Sequence, residues 1–131
     1  MQLWQDKNLT IARETPGKLP SLPFSRIKNE ILGTDYELSL VFPGTRVATE
    51  MHQKWKHADG PVNILSFPLS KKSGEIFISL SQARRECKKF DRTYHDYLAF
   101  LFIHGCLHLK GMTHGSTMES KERFFMNQFG F

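Results

Sequence analysis

The sequence predicts an α+β fold, or an α/β fold built on a small mixed sheet, in a single domain spanning residues 1–131. Three observations lead there. Runs with strand-like alternation lie between runs with helical spacing, so the two element types are mixed along the chain. The chain is 131 residues long, enough for one core and too short for two. Apolar residues make up 40% and charged residues 24%, which excludes wholesale disorder, and eleven phenylalanines predict an aromatic core.

The elements follow in order. Residues 1–12 hold a first strand, carried by Gln2 to Trp4 and Leu9 to Ala12. Pro and Gly then punctuate Thr15 to Pro23. Phe24, Ile27, Ile31 and Leu32 have the spacing of an amphipathic helix, which Gly33 stops. Tyr36 to Phe42 alternates as a strand and ends at the Pro43-Gly44 turn. A helix from Thr45 carries Val47, Met51 and Trp55 on one face and ends before Asp59-Gly60-Pro61.

Val62 to Leu69 and Glu75 to Leu80 read as two strands of a hairpin around Lys71–Gly74. Ser81 is placed to cap a helix running through Lys89. Arg92 to Lys110 is the strongest helix, with Leu98, Leu101, Phe102, Gly105 and Leu109 as its core stripe. Gly111 sits where a helix commonly ends in a left-handed turn. A final amphipathic helix runs from Thr117 to Phe129.

Lys and Arg number 18 against 13 Asp and Glu, a net charge of +5 that modestly favours an anionic partner. Two cysteines, Cys87 and Cys106, are too few for a secreted disulfide scaffold. The longest apolar run, Tyr97 to Ile103, ends at His104 and is far short of a membrane span. The start Met1-Gln2-Leu3-Trp4-Gln5-Asp6 lacks the basic and apolar parts of a signal peptide. The expectation is a cytoplasmic protein without a membrane partner.

The informative segment runs from His104 to His114 and reads HGCLHLKGMTH. Residues four apart stack about 6 Å apart on one helix face, so His104 and His108 can present imidazole nitrogens to one ion. Gly111 can turn the chain sharply, returning His114 as a third ligand. Three neutral imidazoles with an open fourth position describe a catalytic zinc site better than a closed structural one. The expected cofactor is therefore Zn²⁺, one per chain. Single histidines on helix faces are ordinarily packing or surface residues, but half of the six histidines fall in this segment.

The offsets match the metzincin pattern H-E-x-x-H-x-x-G-x-x-H, except that Gly105 stands where zinc proteases carry the Glu that activates water. A zinc peptidase lacking that Glu is the least favoured reading. His95 lies about 14 Å along the helix from His104 and is no ligand. Cys106 points away from His108 by about 200° of helical turn and reads as core, while Cys87 has no assigned role.

HGCLHLKGMTH resembles the signature of the YbeY family of bacterial rRNA-maturation endoribonucleases, in which His-Gly, Leu-His-Leu and Gly-x-Asp-His follow one another. Trp55-Lys56-His57-Ala58-Asp59-Gly60-Pro61-Val62-Asn63-Ile64-Leu65-Ser66-Phe67-Pro68 is similar to that family's basic stretch leading into a Val-Leu-Ser-Phe-Pro strand. Gly74-Glu75-Ile76-Phe77-Ile78 is similar to its Gly-Asp-Ile strand. Together the blocks cover about half of the chain. The resemblance implies a small mixed sheet with one face covered by helices, the metal helix being central. It also implies a zinc-dependent endoribonuclease specific for single strands, acting in 16S rRNA 3′-end maturation and ribosome quality control. The implied partners are rRNA precursors and the ribosome or its small-subunit proteins.

By the same match His104, His108 and His114 carry the metal, and Lys56 stands where the family usually has a functional Arg. Lys keeps the charge but loses bidentate phosphate binding. The family also usually has Asp where this chain has Thr113, which offers only a hydroxyl to the metal site. Asn63 and Ser66 suit strand hydrogen bonding as well as substrate contact, and His52 and His57 beside Trp55 suit a nucleic-acid surface or a plain one. The alternative function is a ribosome-associated RNA-binding factor whose metal is structural.

Overall fold

The computed structural model describes residues 2–55 and 63–131. Five strands, β1 (Gln2–Asp6), β2 (Leu9–Arg13), β3 (Glu37–Phe42), β4 (Ile64–Ser70) and β5 (Ser73–Ile78), form one mixed sheet in the order β1-β2-β3-β5-β4. The helices are α1 (Phe24–Leu32), α2 (Thr45–Trp55), α3 (Leu80–Glu86), α4 (Tyr94–Leu109) and α5 (Ser116–Gln128), with a 3-10 turn at Cys87–Phe90. This is the α+β class that the mixture of periodicities predicts.

The first strand is in fact a hairpin. β1 and β2 pair antiparallel around Lys7-Asn8, with Asn8 at φ 63° and its side-chain amide donating to the Thr34 carbonyl at 2.8 Å. Asn tolerates the left-handed region that a two-residue turn requires, so no Gly marks the turn in the sequence. β2 and β3 are parallel, and α1 supplies the crossover such a pair needs. β3 is also parallel to β5, and β4 closes the other edge antiparallel to β5.

The alternation along β3 and β5 puts Leu38, Leu40, Phe42, Ile76 and Ile78 on one buried face. Ile11, Leu40 and Ile76 lie side by side across three strands and form the floor of the core. The opposite face, with Thr10, Glu37 and Leu69, is open.

The α3 helix begins two residues earlier than the sequence suggests. Ser79, not Ser81, is the cap, its hydroxyl accepting from the Gln82 amide at 3.3 Å, and the α-helix stops at Glu86. Ser79 wins because Leu80 and Ala83 must both enter the core, which fixes the register of the first turn.

On α4 the sequence shows a stripe, whereas the structure encloses nearly every residue from Tyr97 to Leu107. A helix buried all round must be central. It contacts β4 and β5 on one side and α1 and α5 on the others. Thr93 caps its start by accepting from the Asp96 amide, and Lys110 at its end donates to the Ile31 carbonyl of α1 at 2.9 Å. No helix among the described residues is long and apolar enough to cross a membrane.

Candidate metal centre

Helix α4 presents His104 and His108 one turn apart near its C-terminal end. The chain then reverses at Gly111, whose φ of 107° is a conformation side chains disfavour. The reversal is closed by Gly111 N–H to the His108 carbonyl at 2.9 Å and Met112 N–H to the Leu107 carbonyl at 3.0 Å. It returns His114 to the cluster, so the three ring centroids lie 4.5, 5.1 and 4.8 Å apart. One nitrogen from each ring lies within 4.8 Å of the others, and these three histidines could hold a metal ion.

The outward nitrogens decide what the inward ones offer. Nδ1 of His108 is 3.0 Å from the Met112 carbonyl, which can only accept, so Nδ1 carries the hydrogen. Nδ1 of His104 is 2.6 Å from Oε2 of Glu122, with both side chains buried at 5% and 7% residue exposure. Donation to that carboxylate likewise leaves the lone pair of His104 on Nε2. The two Nε2 atoms then face each other at 3.0 Å. Lone pairs so close repel unless a cation lies against both, so the donor set fits a metal.

Burial, followed by the neighbouring His104, lowers the pKa of His108; the Met112 carbonyl opposes this more weakly. Both leading causes favour the neutral imidazole that a metal requires.

Glu122 is the residue that sequence reasoning missed. It sits on α5 between Met118 and Met126, and all three are buried. A carboxylate at the centre of an i, i+4, i+8 apolar stripe was the available signal, because a buried acid needs a partner.

Gly105 is explained by packing. A Cβ there would lie 3.0 Å from Ile64 Cδ1, Ile76 Cδ1 and Ser66 Oγ, so this face of α4 lies directly on the sheet. A glutamate at this position would have to enter the core.

The other candidates separate cleanly. Asn63 Nδ2 donates to the Tyr97 hydroxyl at 2.9 Å and Ser66 Oγ to the Gly105 carbonyl at 3.4 Å, both contacts that tie α4 to the strand side. His95 stands apart from the cluster, with Nε2 2.9 Å from the Ser21 carbonyl. Cys106 is buried, and burial holds its thiol protonated far above the usual range. Cys87 is also buried and unpaired, donating weakly to the Arg84 carbonyl. Thr113 is exposed. Lys56 and His57 lie outside the described residues, as do the side chains of His52 and Trp55.

A family model described as Endoribonuclease YbeY matches residues 12–130. The chain belongs to the YbeY family. The YbeY endoribonuclease of Methylocella silvestris is 31% identical over 110 residues, covering 76% of this chain and 62% of the relative. The YbeY endoribonuclease of Rhizobium etli is 32% identical over 108 residues, covering 72% of this chain and 63% of the relative. The match to these two thus spans less than two thirds of their length. A Sulfurovum YbeY endoribonuclease is 34% identical over 110 residues, covering 74% of this chain and 75% of its own. Among solved structures, the solution structure of TM1509 from Thermotoga maritima superposes with a TM-score of 0.65 at 23% identity, covering 92% of this chain and 88% of that one. That likeness bears on the fold alone.

Proposed function

We propose that this protein is a zinc-dependent endoribonuclease acting on single-stranded RNA, in maturation of the 16S rRNA 3′ end and in ribosome quality control. The supporting observation is the convergence of His104 and His108 through Nε2 while their Nδ1 atoms are held by Glu122 and Met112. Family membership supplies the reaction class, since the matched relatives carry the name endoribonuclease. Nitrogen donors favour zinc over magnesium, which prefers oxygen. His104, His108 and His114 would hold the ion, which when bound supplies Lewis acidity at the scissile phosphate.

Only three protein donors gather among the described residues, and Glu122 is occupied in orienting His104. Structural zinc sites are closed by four ligands, so a three-donor set with exposed His114 favours catalysis over the RNA-binding factor with a structural metal. Lys56 is assigned the cation that offsets charge on the phosphate in the transition state. The partners are rRNA precursor and the ribosomal small subunit, and the location is the cytoplasm.

The test combines metal analysis with single-turnover cleavage of one RNA oligonucleotide. The purified protein should carry about one zinc per chain, and His104→Ala, His108→Ala or His114→Ala should each remove most of it. Lys56→Ala should retain zinc and cleave on the order of 10²-fold more slowly, as for loss of one electrostatic contact. Lys56→Arg should retain or raise activity. Full zinc occupancy in the triple-Ala variant would sink the metal assignment, and wild-type rates in Lys56→Ala would remove Lys56 from the mechanism.

A further inference from the structure

Beside the histidine cluster a cavity of about 830 Å³ opens between α4, α5 and the 3-10 turn, and His104, His114 and Glu122 are among the residues that line it. Its side wall is a staircase of rings. Phe90 lies parallel to Tyr97, with centroids 5.3 Å apart and planes 13° apart. Tyr97 lies parallel to Phe100 at 6.2 Å, again with 13° between planes. Phe100 reaches His104 at 5.9 Å. Packing alone accounts for Tyr97, which is buried and hydrogen-bonded by Asn63. It does not account for Phe90, which keeps 54% of its surface exposed at the outer step.

The chain around Phe90 is basic. The segment that carries Phe90 holds Arg84, Arg85, Lys88, Lys89 and Arg92 against Glu86 and Asp91. Arg84, Arg85, Lys88 and Lys89 are exposed outside the cavity, and Arg92 and Arg123 line it beside Glu86, Glu119 and Glu122. Glu86 is already engaged by Gln82 at 3.0 Å and Lys89 at 3.8 Å. Arg92 lies over the Phe100 ring at 4.8 Å, where its charge borders the cavity. An exposed ring face beside clustered cations is complementary to a base and its phosphates, because every base has a face that stacks and every linkage carries negative charge.

We propose that this cavity is a subsite for one unpaired nucleobase of the RNA strand, stacked on the free face of Phe90, with neighbouring phosphates held by Arg84, Arg85, Lys88 and Lys89. The proposal rests on the reading of the histidine cluster as the cleavage site and adds which nucleotide it grips. A paired base cannot stack there, because its faces are covered by its neighbours in the duplex. The requirement for a single strand then resides in Phe90, and it is tolerant of base identity.

The experiment uses the full-length, metal-loaded protein and a set of single-stranded RNA oligonucleotides with one abasic residue moved along the strand. In wild type, one abasic position near the cleaved bond should raise KM about tenfold, the size of one lost stacking contact, and leave kcat unchanged. Phe90→Ala should raise KM similarly on the intact strand and become indifferent to that abasic position. Phe90→Tyr should restore both behaviours, and Lys88→Ala with Lys89→Ala should flatten the salt dependence of KM. Zinc content and the unfolding midpoint are read alongside, so a folding defect is recognised. Cleavage by wild type with no sensitive position, or with Phe90→Ala equal to wild type, overturns the subsite. If wild type does not cleave RNA, the proposed function falls, and fluorescence binding of the same strands decides the subsite: unchanged affinity in Phe90→Ala overturns it.

Discussion

Two buried ionisable residues, Glu122 and Lys28, show how differently a charge can be used inside one small core. Glu122 is matched to His104 at 2.6 Å, and this contact sets the tautomer and the direction of a ligand. Glu122→Gln keeps the shape but can present its amide nitrogen to His104 and reverse that hydrogen bond. Metal affinity should fall about 10- to 100-fold, read by competition with a chelator. Unchanged affinity would mean that Glu122 does not orient the ligand.

Lys28 is fully buried, and among the described residues its ammonium donates to Asn29 Oδ1 at 3.3 Å and the Thr34 carbonyl at 3.4 Å. Burial lowers its pKa below 10.5, against weaker opposing pulls led by Asp35. The unfolded chain therefore holds that proton to higher pH than the folded one. Stability should rise as pH climbs from the lowered folded value towards 10.5, because there the unfolded state binds more protons. Lys28→Met should abolish that rise in the difference between the two proteins. At neutral pH it should stabilise the fold by about 1 kcal/mol, measured by urea unfolding.

Among the elements, α4 carries both the site and the core, and Gly105 is where the two requirements meet. The residues beside it on the helix, His104 and Cys106, are buried, and Gly105 itself rests on β4 and β5. Gly105→Ala gains helix propensity of about 1 kcal/mol. It also presses a Cβ to 3.0 Å from three side-chain atoms, and overpacking commonly costs about 1–3 kcal/mol. The net effect should be a loss of stability together with weaker zinc binding, since any displacement of α4 from the sheet moves His104 and His108 with it. A more stable Gly105→Ala variant with unaltered metal affinity would contradict this account of the close approach.

The whole molecule carries +5, and the segment 84–92 around Phe90 concentrates part of that charge. Binding to single-stranded RNA should therefore weaken steadily with salt, as counterions displaced from the phosphates lose their entropic advantage. Duplex DNA of equal length should bind less tightly, because it offers phosphates without free base faces. Equal, salt-insensitive binding to both would count against an RNA substrate. The arrangement of layers serves the same end: the sheet buries one face against α4, and α5 closes over the other side of that helix with Glu122.

The sequence by itself determined the element types, the α4 and α5 positions and the histidine triad, because each is written in local spacing. His104 and His108 share a helix face whatever surrounds them, and Gly111 permits the reversal towards His114. Turn chemistry without glycine hid the β1–β2 hairpin, and the burial of Leu80 and Ala83, rather than the choice between two nearby serines, set the cap at Ser79. Only the tertiary structure brought Glu122 to His104 across 18 residues, aligned Phe90, Tyr97 and Phe100 into one wall, and set Gly105 against β4 and β5. Helical periodicity says which residues of one element share a face. It is silent on which face of another element will meet them, and that is decided by how the helices pack around the sheet.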